Sequence, residues 1–173
     1  MPMLKLENGL KIFNLTGHEE DQRIAMDYLN LEIEEGEWVT IIGGNGSGKS
    51  TLMNVISGVH QLDSGLIYID GEDVTKLPEH KRAKYLGSVF QDPNMGTAGM
   101  ISIEENMSIA SRRMRKNTLK WGFNKDERKK YYEMIKSLNL GLEDRLLQKV
   151  GLLSGGQRQA ITLLMATLET PKI

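Results

Sequence analysis

A cluster of glycines directly follows an apolar run. Residues 43–51 read GGNGSGKST, and the five residues before them, WVTII, form a run typical of a buried parallel strand. Four glycines in six positions are entropically costly, because glycine loses more backbone freedom on folding than any other residue. Packing alone therefore does not explain these glycines.

The spacing of these residues predicts a loop that binds the phosphates of a nucleoside triphosphate. Gly43, four further residues, Gly48, Lys49 and Ser50 fit the pattern G-x-x-x-x-G-K-[ST], between a predicted strand and a predicted helix. Lys49 would bridge the β- and γ-phosphates, and the Ser50 hydroxyl would ligate Mg²⁺. The residues predicted to bind nucleotide here are Gly43, Asn45, Gly46, Ser47, Gly48, Lys49, Ser50 and Thr51. An incidental strand-to-helix turn is the alternative.

A second glycine motif, LSGGQ, lies at residues 153–157. Ser154 and Gln157 have the spacing of a capping box, so a well-capped helix is one interpretation. Gly155 and Gly156 favour another, because each glycine in a first turn costs up to about 1 kcal/mol relative to alanine and a cap does not need it. A helix end whose backbone touches a phosphate does need them. We therefore predict that these four residues contact nucleotide phosphate.

The remaining pattern indicates strands first and helices later. Strands are predicted at Leu4–Asn14 (with a turn signal at Asn8-Gly9), at Tyr28–Glu37, at Trp38–Ile42, around Asp70-Gly71 and at Tyr85–Phe90. Helices are predicted after Gly48 as far as Gly58, from Pro78, after a Ser102/Glu105 capping box, over residues 125–140 and after Ser154. In the helix over residues 125–140, one apolar face is predicted from Tyr131, Met134, Ile135 and Leu138.

Composition excludes several function classes. A net charge of −1 gives no general attraction to nucleic acid or membrane, and the absence of cysteine removes disulfides and thiolate metal sites. No signal peptide and no run of 18 apolar residues are present, so a membrane role would need a membrane-spanning partner.

Nine basic and two acidic residues lie between Arg112 and Lys130. A solvated helix face is the plainer interpretation. The other is attraction to anionic lipid headgroups or to a membrane partner's cytoplasmic loop, with Trp121 and Phe123 as interfacial anchors.

Three motifs in this order resemble the nucleotide-binding subunit of an ABC transporter: GGNGSGKST, the glutamine of VFQDP, and LSGGQ followed by RQA. The resemblance covers essentially the whole chain. It implies an α/β P-loop NTPase of ABC type, with an antiparallel β subdomain, a parallel-sheet core and a helical subdomain. The expected divisions are residues 1–91 for the β subdomain and the first part of the core, 92–158 for the helical subdomain with the signature LSGGQ, and 159–173 for a helix returning to the core.

The resemblance also implies roles for single residues. Gln91 would act in catalysis together with Lys49, by touching Mg²⁺ or the attacking water. Phe13 would stack on adenine, and an ordinary core aromatic is the alternative; Tyr28 is the weaker candidate for the stack. The implied cofactors are ATP and Mg²⁺, with Ser50 and Gln91 as protein ligands of the metal.

Partners follow from the same resemblance. In the family, two such domains pair head to tail, and the signature of each caps the γ-phosphate on the other's loop. This implies a second nucleotide-binding domain, a transmembrane permease and a solute-binding protein, no nucleic acid, and a peripheral location on the cytoplasmic face of the cell membrane. The stretch QDPNMGTAGMISIEENM is similar to bacterial importers, for which aromatic amino acids or similar small solutes are plausible cargo.

Two other interpretations stay open. A soluble ABC-type ATPase acting on ribosomes or nucleic acid usually carries two ATPase units in tandem, and this chain has one. An unrelated P-loop kinase with an accidental LSGGQ would need an acceptor site, and we find none.

The family's later motifs do not occur in these residues. A strand with an aspartate for Mg²⁺ and a catalytic glutamate would follow residue 173, with a switch histidine beyond it, whereas His18, His60 and His80 all precede the signature. We therefore expect a truncated chain that lacks the C-terminal part of the core. It should be marginally stable, bind ATP poorly and not hydrolyse it.

Overall fold

The structure is a computed structural model that describes residues 1–14, 21–92, 94–112 and 125–173. The chain divides into two compact units, residues 1–86 with 172–173, and residues 87–171. The divisions at residues 91 and 158 proposed from the sequence remain a prediction about functional subdomains.

An antiparallel sheet builds the first unit. Its strands are β1 (Leu4–Asn14), β2 (Gln22–Ile33), β3 (Ser64–Ile69) and β4 (Glu72–Asp73), in the spatial order β2-β1-β3-β4. The predicted pair of strands around Asp70-Gly71 is confirmed. The turn signal at Asn8-Gly9 does not end the strand, because β1 pairs with a neighbour on each side. A register shift occurs there instead, with Asn8 at φ 46°.

Helix α1 (Lys49–Ser57) covers this sheet. Its buried Leu52, Val55 and Ile56 belong to the same apolar cluster as Leu4, Leu6, Ile67 and Ile69 of the strands. The predicted end is confirmed, since Gly58 adopts the left-handed conformation at φ 86° and donates its N–H to the Val55 carbonyl. A short helix, α2 (Glu79–Arg82), begins directly after Pro78.

Two predicted strands are wrong. Residues 38–42 and 85–90 form no strand, and the side chains of Trp38 and Ile42 are 98% and 89% exposed. The physical reason is that a buried parallel strand exists only when neighbouring strands pair with it and both faces are covered. No strand pairs with either segment within the described ranges. The Tyr85 carbonyl instead accepts the N–H groups of Lys172 and Ile173.

The second unit is helical. It contains α3 (Ile103–Ser111), α4 (Lys125–Lys136) and α5 (Gly155–Thr167), with 3₁₀ turns at Glu143–Arg145 and Val150–Leu152. The capping box of Ser102 and Glu105 is confirmed at the start of α3. The predicted apolar face of α4 is also confirmed, because Tyr131 and Ile135 are buried while Met134 and Leu138 pack against the same cluster.

The basic stretch lies partly outside the described residues, which omit 113–124 and therefore Trp121 and Phe123. None of the helices in the described ranges combines the length and the apolar character that a membrane span requires.

Candidate functional site

The glycine loop of residues 43–48 turns through the left-handed region twice. Gly46 lies at φ 82° and Gly48 at φ 85°, where a side chain is strained. A Cβ on Gly48 would also lie 2.4 Å from the Ala25 carbonyl oxygen of β2. Gly44 has neither a positive φ nor a neighbour within 4 Å of its Cβ position, so the loop needs glycine at 48 and tolerates a side chain at 44.

Lys49 folds back over this loop. Its Nζ donates to the carbonyls of Gly43 and Gly44, each at 2.7 Å, and lies 3.3 Å from the Ser47 hydroxyl. These acceptors are neutral, and a phosphate oxygen in their place would make a stronger, charge-assisted bond. The ammonium group is therefore held where a bound anion would meet it.

The N-terminus of α1 is uncapped. In residues 1–14, 21–92, 94–112 and 125–173, no side chain caps this helix start, and its first turn contains no acidic residue. The first four N–H groups of any helix lack partners within the helix, and the helix dipole makes that end positive. By contrast, α3 and α5 each begin with a complete capping box. The donors of α1 are thus available to the phosphates of ATP, and these residues fit that ligand.

A cavity of about 340 Å³ borders the loop. One wall comes from β2, a second from the loop and α1, and a third from the segment before the loop. The lining residues are Ala25, Met26, Asp27 and Leu29, then Ser47, Gly48, Lys49 and Leu52, and then Ile41 and Ile42. The open space beside Lys49 leaves room for a ligand on this side of the loop.

Magnesium would depend mainly on ligands from the nucleotide. The Ser50 side chain is exposed at the start of α1, beside Lys49. In the part of the chain that the structure describes, no three acidic or histidine side chains converge on a metal position. Mg²⁺ in nucleotide sites keeps waters and phosphate oxygens beside one or two carboxylates, so the Ser50 hydroxyl fits as one ligand of such a set.

Gln91 lies in the second unit and is exposed, directly after the irregular segment 85–90. The loop glycines belong to the first unit. The role of Gln91 with Mg²⁺ or water therefore stays a prediction.

The LSGGQ segment begins α5. The Ser154 hydroxyl accepts the Gln157 N–H at 3.3 Å, and the Gln157 side-chain oxygen accepts the Ser154 N–H at 3.1 Å. Gly155 and Gly156 are exposed, and a Cβ on either would meet no atom of the described residues within 4 Å. Capping therefore explains Ser154 and Gln157, while the fold of the unit gives no reason for the two glycines.

The two candidate aromatics differ in their surroundings. Phe13 is half-buried near the end of β1, with its ring edge-to-face with His60 at 5.2 Å between centroids. Tyr28 is 59% exposed and sits at φ 45°, which is unusual for an aromatic residue.

Arg82 was not identified from the sequence. Its side chain is fully buried and donates to four backbone carbonyls: Leu77 (2.9 Å), Val55 (2.7 Å), Ile56 (3.0 Å) and Thr75 (2.9 Å). Burial lowers the pKa of this guanidinium. Arg82 thereby fixes the C-terminal end of the helix whose N-terminus carries the glycine loop. Its neighbours in sequence are ordinary surface residues, so no local signal indicated this role.

Arg158 is a second such residue. On α5, its guanidinium donates to the Gly151 carbonyl at 3.0 Å and to the Asn94 side chain. It therefore ties the segment after Gln91 to the helix that begins with LSGGQ.

Comparison with known proteins places these features in context. A family model described as ABC transporter matches residues 26–173. A tyrosine transport ATP-binding protein of Clostridioides difficile (strain R20291) is 38% identical over 99% of this chain and 67% of its own length. The ATP-binding cassette MJ0796, solved as a dimer bound to ADP and Pi, is similar with a TM-score of 0.78 at 30% identity, over 98% of this chain and 71% of that one. The cassette MJ1267 in its ADP conformation has a TM-score of 0.74 at 30% identity, over 99% and 66%.

Proposed function

Since this chain belongs to the ABC transporter family as an ATP-binding domain with the α/β P-loop fold of that family, we propose that it binds ATP through residues 43–51, and that ATP-driven dimerisation and hydrolysis in the intact protein power solute import. The observation that carries the proposal is the uncapped N-terminus of α1 beside a lysine held over the loop. This arrangement presents several donors and one cation to a single anionic group.

The residues of the loop have separate tasks. The N–H groups at the start of α1 bind and orient the phosphates, and Lys49 exchanges the Gly43 and Gly44 carbonyls for the β- and γ-phosphate oxygens. Mg²⁺, held by Ser50 and in the proposed arrangement also by Gln91, neutralises charge on the phosphates when bound. Thr51, half-buried one residue further on, reaches the α-phosphate, and Phe13 stacks on adenine.

The second glycine motif serves a partner domain. Gly155 and Gly156 place no side chain over the first turn of α5, so a phosphate from outside the unit can approach the backbone of that turn. We assign Ser154, Gly155, Gly156 and Gln157 to the γ-phosphate bound by a second ATP-binding domain in a head-to-tail pair. The dimeric state of the similar cassette MJ0796 supports this assignment.

This chain by itself binds ATP weakly and does not hydrolyse it. The support for weak binding is the exposure of residues 38–42, which lead directly into the loop without a strand to anchor them. A phosphate loop whose entry is not fixed by a sheet loses part of its preorganisation, and preorganised donors bind most tightly.

The transport role rests on the relatives. The Clostridioides difficile relative is named for tyrosine transport, which agrees with an aromatic amino acid or similar small solute as cargo. The remaining partners are a transmembrane permease and a solute-binding protein, and the chain acts at the cytoplasmic face of the membrane.

The loop assignment is tested by titrating the chain with a fluorescent ATP analogue and Mg²⁺. We expect saturable binding that Lys49→Ala weakens about 10- to 100-fold, since hydrogen bonds to a charged group contribute roughly 1.5–3 kcal/mol. Lys76→Ala, at an exposed lysine of the same unit, is the matched control and should change nothing. Equal affinity of the Lys49→Ala variant and the wild type, or no binding at all, would overturn the proposal.

A further inference from the structure

A ring contact joins the end of α1 to the end of β1. His60 lies two residues beyond Gly58, and its backbone N–H donates to the Asn54 carbonyl at 3.0 Å, so its position is fixed to α1. Its imidazole packs against the Phe13 ring at 5.2 Å between centroids, with an angle of 77° between the rings. Both residues are half-buried, so this contact restricts the Phe13 ring while leaving part of it accessible.

A second set of contacts holds the same strand end. The Lys11 Nζ lies 5.5 Å from the centre of the Phe13 ring and 3.2 Å from the Asp63 carboxylate. Asp63 also accepts the Ile12 N–H at 2.6 Å and donates its own N–H to the Leu10 carbonyl at 2.9 Å. The segment after α1 therefore holds β1 at residues 10–12, directly before Phe13, and at the Phe13 ring itself.

Helix α1 connects this aromatic contact to the phosphate loop. The helix has nine residues, which corresponds to roughly 13 Å. Its N-terminus carries the loop, and the turn at its other end carries His60. One rigid element thus reaches from the predicted phosphate site to the predicted base site.

We propose that His60 is a positioning residue for nucleotide binding, because its ring holds Phe13 in the orientation that stacks on a purine base. The proposal rests on the proposed function, since it requires ATP at residues 43–51. His60 thereby determines how much the base contributes to the binding affinity for ATP, and it leaves the contribution of the phosphates unchanged.

The experiment compares two probes, ATP and inorganic tripolyphosphate, by calorimetric titration of the 173-residue chain. His60→Ala should weaken ATP binding about 2- to 10-fold, the value expected for the loss of one aromatic pair, and should leave tripolyphosphate binding unchanged. His60→Phe, which preserves an edge-to-face partner, should restore ATP binding. Val59→Ala, at the exposed neighbouring position, is the matched control.

The possible outcomes separate the two proposals. Tripolyphosphate binding without any gain for ATP in the wild type would refute the base platform and leave the phosphate loop intact. An equal loss of both probes in the His60→Ala variant would show a general structural effect and overturn the positioning role, as would unchanged ATP binding. If the wild type bound neither probe, the proposed function would fail, and the role of His60 with it. Circular dichroism melting of each variant identifies losses that come from unfolding.

Discussion

Replacing Arg82 by methionine tests how the fold supports the glycine loop. Methionine keeps most of the apolar stem and removes every donor of the guanidinium. Four hydrogen bonds to backbone carbonyls, two of them at the C-terminal end of α1, are then lost. The Val55 carbonyl keeps the Gly58 N–H and the Leu77 carbonyl keeps the Gln61 side chain, whereas the carbonyls of Ile56 and Thr75 lose the guanidinium donor. At about 1 kcal/mol for each lost hydrogen bond, the usual net contribution of one such bond, the loss is about 4 kcal/mol.

Relief of the buried charge offsets part of this loss. Burial lowers the pKa of Arg82, which means that the charged form is disfavoured in the folded state. Allowing about 1 kcal/mol for that relief, we expect Arg82→Met to lower the free energy of unfolding by about 3 kcal/mol. Small domains have only roughly 5–15 kcal/mol of stability in total, so the effect is large.

Urea unfolding followed by circular dichroism measures this change, with midpoint and slope fitted separately. Lys81→Met, at an exposed position of the same short helix, should stay within about 0.5 kcal/mol of the wild type. If Arg82→Met does not fold, Arg82→Lys, which keeps the charge and fewer donors, should show an intermediate loss. If Arg82→Met or Arg82→Lys is as stable as the wild type, the hydrogen bonds of Arg82 do not stabilise the end of α1.

Three further predictions follow from local geometry. Gly48→Ala should destabilise the chain by about 2–4 kcal/mol, because position 48 has a positive φ and a Cβ there would clash with a β2 carbonyl. Gly44→Ala should be neutral or stabilising by up to about 1 kcal/mol. Urea unfolding midpoints compare the two variants, and equal effects would contradict the loop geometry. Tyr28→Asn should raise the free energy of unfolding by about 0.5–1 kcal/mol, because asparagine tolerates the positive φ of 45° at this position better than tyrosine does. The affinity for ATP should stay unchanged, and a fall in affinity would make Tyr28 the stacking residue. Hydrogen bonds from the backbone N–H and then the hydroxyl of Ser102 lower the pKa of Glu105. The stabilisation by the Glu105 carboxylate is therefore fully present above its unfolded pKa of about 4.3 and is lost as the pH falls through the folded pKa. Glu105→Gln should lose less stability than the wild type between pH 7 and 3, and an identical loss would count against the capping box.

Features that depend on residues a few positions apart were predictable from the sequence. The capping boxes before α3 and α5 and the left-handed Gly58 at the end of α1 each need only one turn of chain, and all three are observed. The glycine loop belongs to this class as well, because its spacing already encodes the turn.

Features that depend on distant partners were not predictable. Residues 38–42 have the composition of a buried strand, yet a strand also needs a neighbour, and composition does not supply one. Arg82 reads as one more charge on a polar helix, and only the tertiary structure brings the carbonyls of Val55, Ile56 and Thr75 to it. The left-handed conformation of Tyr28 also goes against residue preference.

In the proposed dimer, two glycine motifs that lie far apart in sequence hold the same terminal phosphate from opposite sides. Sedimentation velocity with saturating ATP and Mg²⁺ tests it, using the wild type and Gly156→Leu, whose side chain enters open space in the monomer. We expect the wild type to sediment as a dimer, whereas Gly156→Leu should bind ATP equally well and remain a monomer. Dimers of both proteins alike, or of neither, would contradict it.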